Sequence, residues 1–222
     1  MSRRTAALIG AGLVTVLLGG CGLPPGKQRP AAPTASASPT PDPLTLPALP
    51  EEACAVLPDA LRDQLVPAAR VKTSEEKNNE KFPQELECEI WTDSDRAKDR
   101  RDGGLRVRIE RQRSTYGREQ AVETAVRHFK NDLEFYGNNV RRLPDVGDDA
   151  FIVVRRYSTE NKGYAVNLGV LTGAANITIM YQASPSSSDK VRVSATALAA
   201  YLVAVLTGPP PEPPRVAPFV AP

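Results

Sequence analysis

Apolar residues recur at helical spacing in three parts of the chain. Over residues 53–65, Cys54 shares one side with three leucines. Over residues 117–136 an apolar stripe ends at Gly137, and over residues 189–206 valines, alanines and leucines keep the same three- and four-residue steps. Because this spacing matches the 3.6-residue turn of an amphipathic helix, the pattern predicts three helices in these ranges.

Alternation of apolar and polar residues predicts strands between these helices. Around Cys88, apolar residues alternate with three glutamates, which is typical of a half-buried strand. A turn at 102–104 precedes the second strand, and a turn at Thr172-Gly173 makes a hairpin of the last two. The five predicted strands lie near residues 86–90, 105–109, 149–157, 164–171 and 175–182.

The element order is therefore α-β-β-α-β-β-β-α. Short links between strands favour antiparallel pairing over parallel crossovers. The sequence predicts an α+β fold in which helices pack on one face of an antiparallel sheet of about five strands.

The N-terminus has the pattern of a cleaved export signal. Arg3 and Arg4 precede an apolar core over residues 6–18, which is short for a permanent membrane span. The segment Leu18-Gly19-Gly20-Cys21 matches the lipobox of bacterial lipoproteins. We predict a signal peptide over 1–20 and lipidation of Cys21; the alternative is an ordinary secretory signal with an incidental cysteine.

Composition divides the rest of the chain into three parts. Residues 21–50 are rich in Pro, Ala, Ser and Thr and are predicted to be an extended tether behind the lipidated cysteine. Residues 51–207 are long enough for one domain with its own core. Residues 208–222 are rich in proline and are predicted to be a disordered tail. The expected location is the outer face of the cytoplasmic membrane, facing the cell wall, with the bilayer as the partner of the acylated Cys21.

The cysteine count supports export. The chain has three cysteines. With lipid on Cys21, Cys54 and Cys88 remain as a pair in an oxidising compartment, where a disulfide is expected. Two cysteines and one histidine at these spacings do not complete a tetrahedral metal shell, and the absence of a Cys-x-x-Cys motif argues against a redox pair.

These features together resemble a known group of proteins. Cys54 begins a Cys-x-x-Leu helix, Cys88 lies shortly before Trp91, and Val146-Gly147-Asp148-Asp149-Ala150-Phe151 precedes the later strands. The chain resembles actinobacterial lipoproteins of a family of unknown function and, more distantly, extracellular sensor domains of actinobacterial kinases. That family has one residue between cysteine and tryptophan, whereas two intervene here, which places Trp91 on the face opposite Cys88 unless a bulge intervenes.

Few residues point to catalysis. His128 does not belong to a recognisable catalytic motif, and no Gly-x-Ser-x-Gly motif occurs. Asp145, Asp148 and Asp149 invite a calcium interpretation, but their spacing does not match an EF-hand loop and serves a turn equally well. We predict neither enzymatic activity nor a cofactor or metal.

Charge is unevenly distributed although the net charge is only +2. Residues 51–95 carry 12 acidic and 5 basic residues, and residues 96–118 carry 3 acidic and 9 basic. Arg106 and Arg108 could bind an anionic surface. The alternative, which we favour, is that they neutralise glutamates of the neighbouring strand. Nucleic acid is disfavoured by the compartment.

Three functions remain at this stage. The leading hypothesis is a non-enzymatic binding or interaction domain, a sensor or accessory subunit that recognises an envelope protein or a small ligand. The second is a carrier of a lipid or hydrophobic small molecule, with a cavity beside the alanines at residues 195, 197, 199 and 200. An envelope hydrolase is third.

Overall fold

A computed structural model describes residues 49, 52–73, 83–92, 102–112, 117–158, 162–209 and 211–216. The chain divides into two compact units, Met1–Thr40 and Pro41–Pro222, and all described residues belong to the second. The signal peptide and Cys21 lie outside the described residues. The helices are α1 (Asp59–Leu65), α2 (Arg118–Tyr136) and α3 (Ser188–Thr207), with 3-10 turns at Ala53–Val56 and Gly137–Asn139. The strands are β1 (Ala69–Thr73), β2 (Gln84–Thr92), β3 (Asp102–Arg111), β4 (Arg141–Arg142), β5 (Asp149–Ser158), β6 (Gly163–Thr172) and β7 (Ala175–Ser184).

The strands form one antiparallel sheet in the order β1-β2-β3-β7-β6-β5-β4. The predicted α+β class with an antiparallel sheet is confirmed, as is the β6–β7 hairpin. The strand number is seven rather than five because β1 and β4 were missed. Both are short edge strands, and β1 exposes Val71, so neither carries the burial pattern on which the prediction depended. Residues 102–104 also belong to β3 rather than to a turn.

The helices lie on both faces of the sheet, which corrects the prediction of one covered face. Strand β5 shows this within two residues. Ile152 belongs to the apolar cluster that contains α3, whereas Phe151 and Val153 belong to a second cluster with Ala125 and Phe129 of α2. Since successive side chains of a strand point to opposite faces, α2 and α3 sandwich this end of the sheet.

The first helix is shorter than predicted and is stapled to the sheet. Leu57 is extended and Pro58 caps α1, because the residue before a proline disfavours helical geometry. The helix therefore begins after the 3-10 turn instead of at residue 53. The predicted disulfide joins that turn, through Cys54, to Cys88 at the centre of β2, with the two Cα atoms 4.9 Å apart. Both cysteines are buried.

Helix α3 covers the same face as the disulfide. Ser187 caps it, its hydroxyl accepting from the Lys190 N–H at 3.2 Å. Within the described residues α3 is long and apolar enough to cross a membrane. Its apolar side, including Leu198 and Leu202, is nevertheless buried in the main core cluster, as in a core helix of a globular domain.

The core also takes in residues from both predicted flexible flanks. Leu49, placed in the tether by the sequence, and Val216, placed in the tail, are 8 % and 5 % exposed and belong to the main cluster. The prediction of a disordered tail over residues 208–222 therefore does not hold for residues 211–216. A proline-rich segment has few backbone donors to satisfy, so it can lie extended on the domain and dock one apolar side chain.

Replacement of Tyr181 with phenylalanine is expected to lower the free energy of unfolding by about 1–2 kcal/mol. The buried Tyr181 hydroxyl donates to the carbonyl of Leu65, at the end of α1, at 3.2 Å. Phenylalanine would leave that carbonyl without its donor. Denaturant unfolding of the two proteins at neutral pH measures the difference.

The same pair makes a pH test. Burial raises the pKa of Tyr181 well above the usual value of a phenol. In the unfolded chain the phenol ionises near pH 10, so the wild type loses stability as pH rises past about 10 while Tyr181→Phe lacks that loss. The stability difference should narrow in alkali; a constant difference would contradict the assigned hydrogen bond and burial.

Candidate ligand-binding groove

Helix α2 covers only part of its face of the sheet. It packs against β6 and β7, and Asn176 of β7 donates to the carbonyl of Ala125 at 3.0 Å. Its aromatic side is sealed by Phe151, whose ring centroid lies 5.4 Å from that of Phe129 and 5.6 Å from that of Tyr136. Toward β2 and β3 this face carries charged residues and no described helix covers it.

The uncovered part carries a ladder of ion pairs across β2 and β3. Arg106 lies 3.0 Å from Glu87 and 2.6 Å from Glu89. Arg108 lies 3.0 Å from Glu85 and 3.6 Å from Glu110. The Arg106–Glu89 pair joins residues that are opposite in the strand register, whereas the Arg106–Glu87 and Arg108–Glu85 pairs are diagonal to it. The Arg108–Glu110 pair lies within β3. The predicted mutual neutralisation is thus present between the strands.

This ladder bears on the predicted anion-binding role of Arg106 and Arg108. Both side chains remain nearly half exposed, but each is shared by two carboxylates. Four carboxylates against two guanidinium groups disfavour binding of an anion at this place. Among the other basic residues of the segment, Arg96, Lys98, Arg100, Arg101 and Arg113 lie outside the described residues.

Two adjoining cavities lie on this face, and we call them together the groove. The first, the Trp91 pocket, has a volume of about 240 Å³, and the second, the Phe135 pocket, about 360 Å³. They meet at Arg106 and Met180, which line both. The Trp91 pocket is bordered by Glu89, Trp91, Gly104, Arg106, Ala165, Asn167, Met180 and Gln182, and the Phe135 pocket by Glu87, Arg106, Arg108, Asp132, Phe135, Tyr136, Phe151, Thr178 and Met180.

Trp91 forms one end of the groove. It is the only tryptophan of the chain and is 40 % exposed. The register of β2 against β3 is unbroken from Gln84 to Trp91, so no bulge returns the indole to the Cys88 face, as the alternation predicted. Opposite it stands Gly104, over which the Gln182 side chain lies; a Cβ there would come within 3.0 Å of the Gln182 amide nitrogen.

The C-terminal turns of α2 form the other end. Phe135 is 82 % exposed and meets Tyr136 edge-on, with ring centroids 5.2 Å apart. The Arg155 guanidinium lies 5.8 Å from the Tyr136 ring centroid. Burial raises the pKa of the Tyr136 phenol, and the nearby Asp132 raises it further, so Tyr136 stays a hydrogen-bond donor at neutral pH.

His128 has a carboxylate partner that the sequence did not indicate. Its Nδ1 lies 2.7 Å from Glu110 Oε1, which also accepts from Gln112 at 2.7 Å. Burial raises the pKa of the neighbouring Asp132, with Glu110 adding to the rise and Arg108 and His128 opposing it. These groups border a further cavity of about 160 Å³. The pair orients the imidazole, and the arrangement contains no cysteine or serine that could act as a nucleophile among its described lining residues.

One buried hydrogen-bond acceptor on this side of the sheet lacks a partner. Asn176, 8 % exposed, donates from its amide nitrogen to the Ala125 carbonyl of α2, while its side-chain oxygen is buried and accepts no hydrogen bond from the described residues. Such an atom in a native fold calls for a bound molecule or water. Asn176 also borders the His128 cavity.

Two of the three aspartates considered for calcium make contacts within the protein. Asp148 accepts from the Gly173 N–H at 2.6 Å, and Asp149 pairs with Arg142 at 2.5 Å. This favours the turn interpretation of the segment. Within the described ranges no group of three or more His, Cys, Asp or Glu residues is placed to hold a metal ion.

Comparisons of the chain with protein-family models, with curated proteins and with solved structures return no match. The resemblance to actinobacterial lipoproteins and kinase sensor domains therefore stays a prediction.

Proposed function

We propose that this chain is a non-enzymatic binding domain, a sensor or accessory subunit of the cell envelope that holds its ligand or partner in the groove. One observation carries the proposal. The groove places three large apolar side chains at the surface on one face, Trp91, Phe135 and Met180, which are 40 %, 82 % and 45 % exposed. Exposed apolar groups that adjoin one another and are rimmed by polar residues are typical of binding sites.

The surroundings of these side chains support the proposal. The groove lies on a rigid antiparallel sheet, and its ion pairs hold the neighbouring polar groups in place before any ligand arrives. Asn176, whose buried side-chain oxygen has no partner among the described residues, borders the His128 cavity, which shares Arg108, Asp132 and Thr178 with the Phe135 pocket. Together they resemble the usual small-molecule site, a concave apolar surface with a few placed polar groups.

We further propose that lipid on Cys21 holds the domain at the outer face of the cytoplasmic membrane. The lipobox and the apolar core before it support this part of the proposal. A tether that ends near Leu49 would leave the domain free to meet partners at some distance from the bilayer.

The carrier hypothesis receives less support. It depended on volume left by the alanines of α3. Ala195 and Ala199 are fully buried in the main cluster together with Leu168 and Ile179 of the sheet, so these alanines serve close packing of helix on sheet. A lipid found in the groove would nevertheless restore the carrier class, and the experiment below distinguishes it.

The proposal predicts capture at Phe135. A photo-crosslinking amino acid at position 135, in the full chain expressed in its own envelope, is expected to form one dominant adduct. The same group at Val193, a 57 % exposed position on α3 across the sheet, serves as the matched control. Mass spectrometry of the adduct identifies the ligand as protein, lipid or another class.

Two variants decide the interpretation. Met180→Asp, at the junction of the two pockets, should reduce the position-135 adduct about tenfold or more because it places a charge in the apolar contact. Cys21→Ser should move the chain from the membrane fraction to the soluble fraction. Equal adducts at positions 135 and 193, or an adduct indifferent to Met180→Asp, would refute the groove as the binding site.

A further inference from the structure

We propose that the Trp91 pocket binds a pyranose ring of a neutral oligosaccharide, which extends along the groove toward Phe135. This inference rests on the proposed function and names the ligand class. The charge, the hydrogen-bonding groups and the apolar surfaces of the pocket all support a sugar ring as the ligand.

The charge of the pocket selects a neutral ligand. Glu89 and Arg106 are the charged residues that border it, and they form an ion pair of 2.6 Å with each other. An anion would be repelled by Glu89 and a cation by Arg106. A charged ligand could therefore bind only by separating the ion pair, which is unfavourable. A neutral polar molecule can hydrogen-bond to both members without breaking it.

The polar groups of the pocket suit adjacent hydroxyls. Besides the Glu89 carboxylate and the Arg106 guanidinium, the pocket has two side-chain amides, those of Asn167 and Gln182. All four groups are planar and can offer two parallel hydrogen bonds, as donors, acceptors or both. Neighbouring hydroxyls of a sugar ring both donate and accept, so they match this mixed set. A hydrocarbon ligand would remove water from these groups without replacing its hydrogen bonds, which is unfavourable.

The apolar surfaces suit the other face of a sugar ring. Trp91 presents an indole that is 40 % exposed, and Met180 lies on the floor. The face of an indole is electronegative, and the C–H face of a pyranose is apolar and weakly electropositive, so the two stack. Ala165 carries only a methyl group, so a ring can approach the sheet closely there.

The dimensions of the groove indicate that one sugar ring fits the Trp91 pocket and that further rings extend into the Phe135 pocket. About 240 Å³ is below the range of roughly 300–1,000 Å³ that is usual for drug-sized ligands. The Phe135 pocket, about 360 Å³, continues from it across Met180 and ends at a second exposed aromatic ring. An oligosaccharide is therefore expected to bind more tightly than its disaccharide.

The single tryptophan makes the test direct. The full chain, in a detergent without a sugar headgroup, is titrated with hexamers of β-1,4-linked glucose, α-1,4-linked glucose and β-1,4-linked N-acetylglucosamine while Trp91 emission is recorded. At least one hexamer should give a saturable blue shift at submillimolar concentration, about tenfold tighter than its disaccharide. If none of the three shifts the emission at millimolar concentration, the saccharide assignment is overturned.

Variants tie the signal to the pocket. Gln182→Ala and Asn167→Ala keep Trp91 and should each weaken binding about tenfold, the effect of one or two lost hydrogen bonds. Trp91→Ala should abolish hexamer binding, which calorimetry measures in this variant because it has no tryptophan. Val193→Ala, a truncation on the other side of the sheet, should leave the affinity unchanged. Gln182 is exposed, so its variant tests the idea even if Asn167→Ala folds poorly.

The two proposals can fail separately. A Met180-dependent adduct at position 135 that proves to be a protein or a lipid, with no response to the hexamers, would overturn the saccharide and keep the groove. Hexamer binding that survives both Trp91→Ala and Gln182→Ala would overturn the placement in this pocket. Absence of both the adduct and hexamer binding would remove the groove as well.

Discussion

Replacing Phe151 with alanine is expected to lower the free energy of unfolding by about 3–5 kcal/mol. The ring is almost fully buried and packs against Phe129 and Tyr136 of α2, and it lies directly over Gly169, its cross-strand neighbour. A Cβ on Gly169 would come within 2.4 Å of the ring, so the ring fills the space that the glycine leaves. Truncation would open a cavity between helix and sheet that the rigid strands cannot close. Urea unfolding measures the loss.

The position of the loss can be measured as well as its size. Native-state hydrogen exchange of Phe151→Ala should show that the amides of α2 lose more protection than those of β6 and β7, because the packing of this ring holds α2 against β5. Ile152→Ala is the matched control: the neighbouring side chain points to the α3 face. It should destabilise the domain by about 2–5 kcal/mol without a selective effect on α2. Equal loss of α2 protection in both variants would refute the two-faced arrangement.

Loss of the Cys54–Cys88 disulfide is expected to cost about 3–4 kcal/mol. The bond closes a loop with a sequence separation of 34 residues, and opening that loop returns its conformational freedom to the unfolded chain. The Cys54→Ala/Cys88→Ala double variant and the wild type under reductant should unfold at similar, lower denaturant concentrations. Trp91, three residues from Cys88, reports the transition.

A partial docking of the first helix should survive the reduction. Besides the bond, apolar burial in the main cluster of Leu61 and Leu65 of α1, and of Leu57 just before it, holds this segment to the sheet. The chain should therefore still fold at low temperature, and the slope of the unfolding free energy against denaturant should become steeper, because the unfolded chain without its cross-link exposes more surface. A loss below about 1 kcal/mol would mean that the unfolded chain is already compact around this loop.

Much of the fold could be predicted because its elements have strong periodicity. The β6–β7 hairpin, α2 and α3 were visible as alternation or as helical stripes. The prediction missed that α2 packs on the face of the sheet opposite α3, although the sequence of β5 indicates it. The run Ala150-Phe151-Ile152-Val153-Val154 is apolar at every position, which is typical of a strand covered on both faces. The prediction counted this run only as one more strand and placed all helices on one face of the sheet.

The groove was predictable only in parts. Alternation placed Trp91 opposite Cys88 and the glutamates beside Arg106 and Arg108. The contact of His128 with Glu110 joins a helix to a strand across 18 residues, and nothing local in the sequence sets that distance. Likewise, Phe135 of α2 and Met180 of β7 line one pocket because of the angle at which α2 crosses the sheet. That angle depends on the packing of Phe151.

The central pairing of β3 with β7 also governs the order in which the chain can fold. It joins residues 102–111 to residues 175–184, so the N-terminal strands gain their inner neighbour only when the last strand is present. We therefore expect the N-terminal half to stay loosely structured during folding until the local β6–β7 hairpin has formed. Cys54 and Cys88 both lie in the N-terminal half, so the disulfide can form before the sheet is complete. The bond then reduces the number of conformations that the chain must search to complete the sheet.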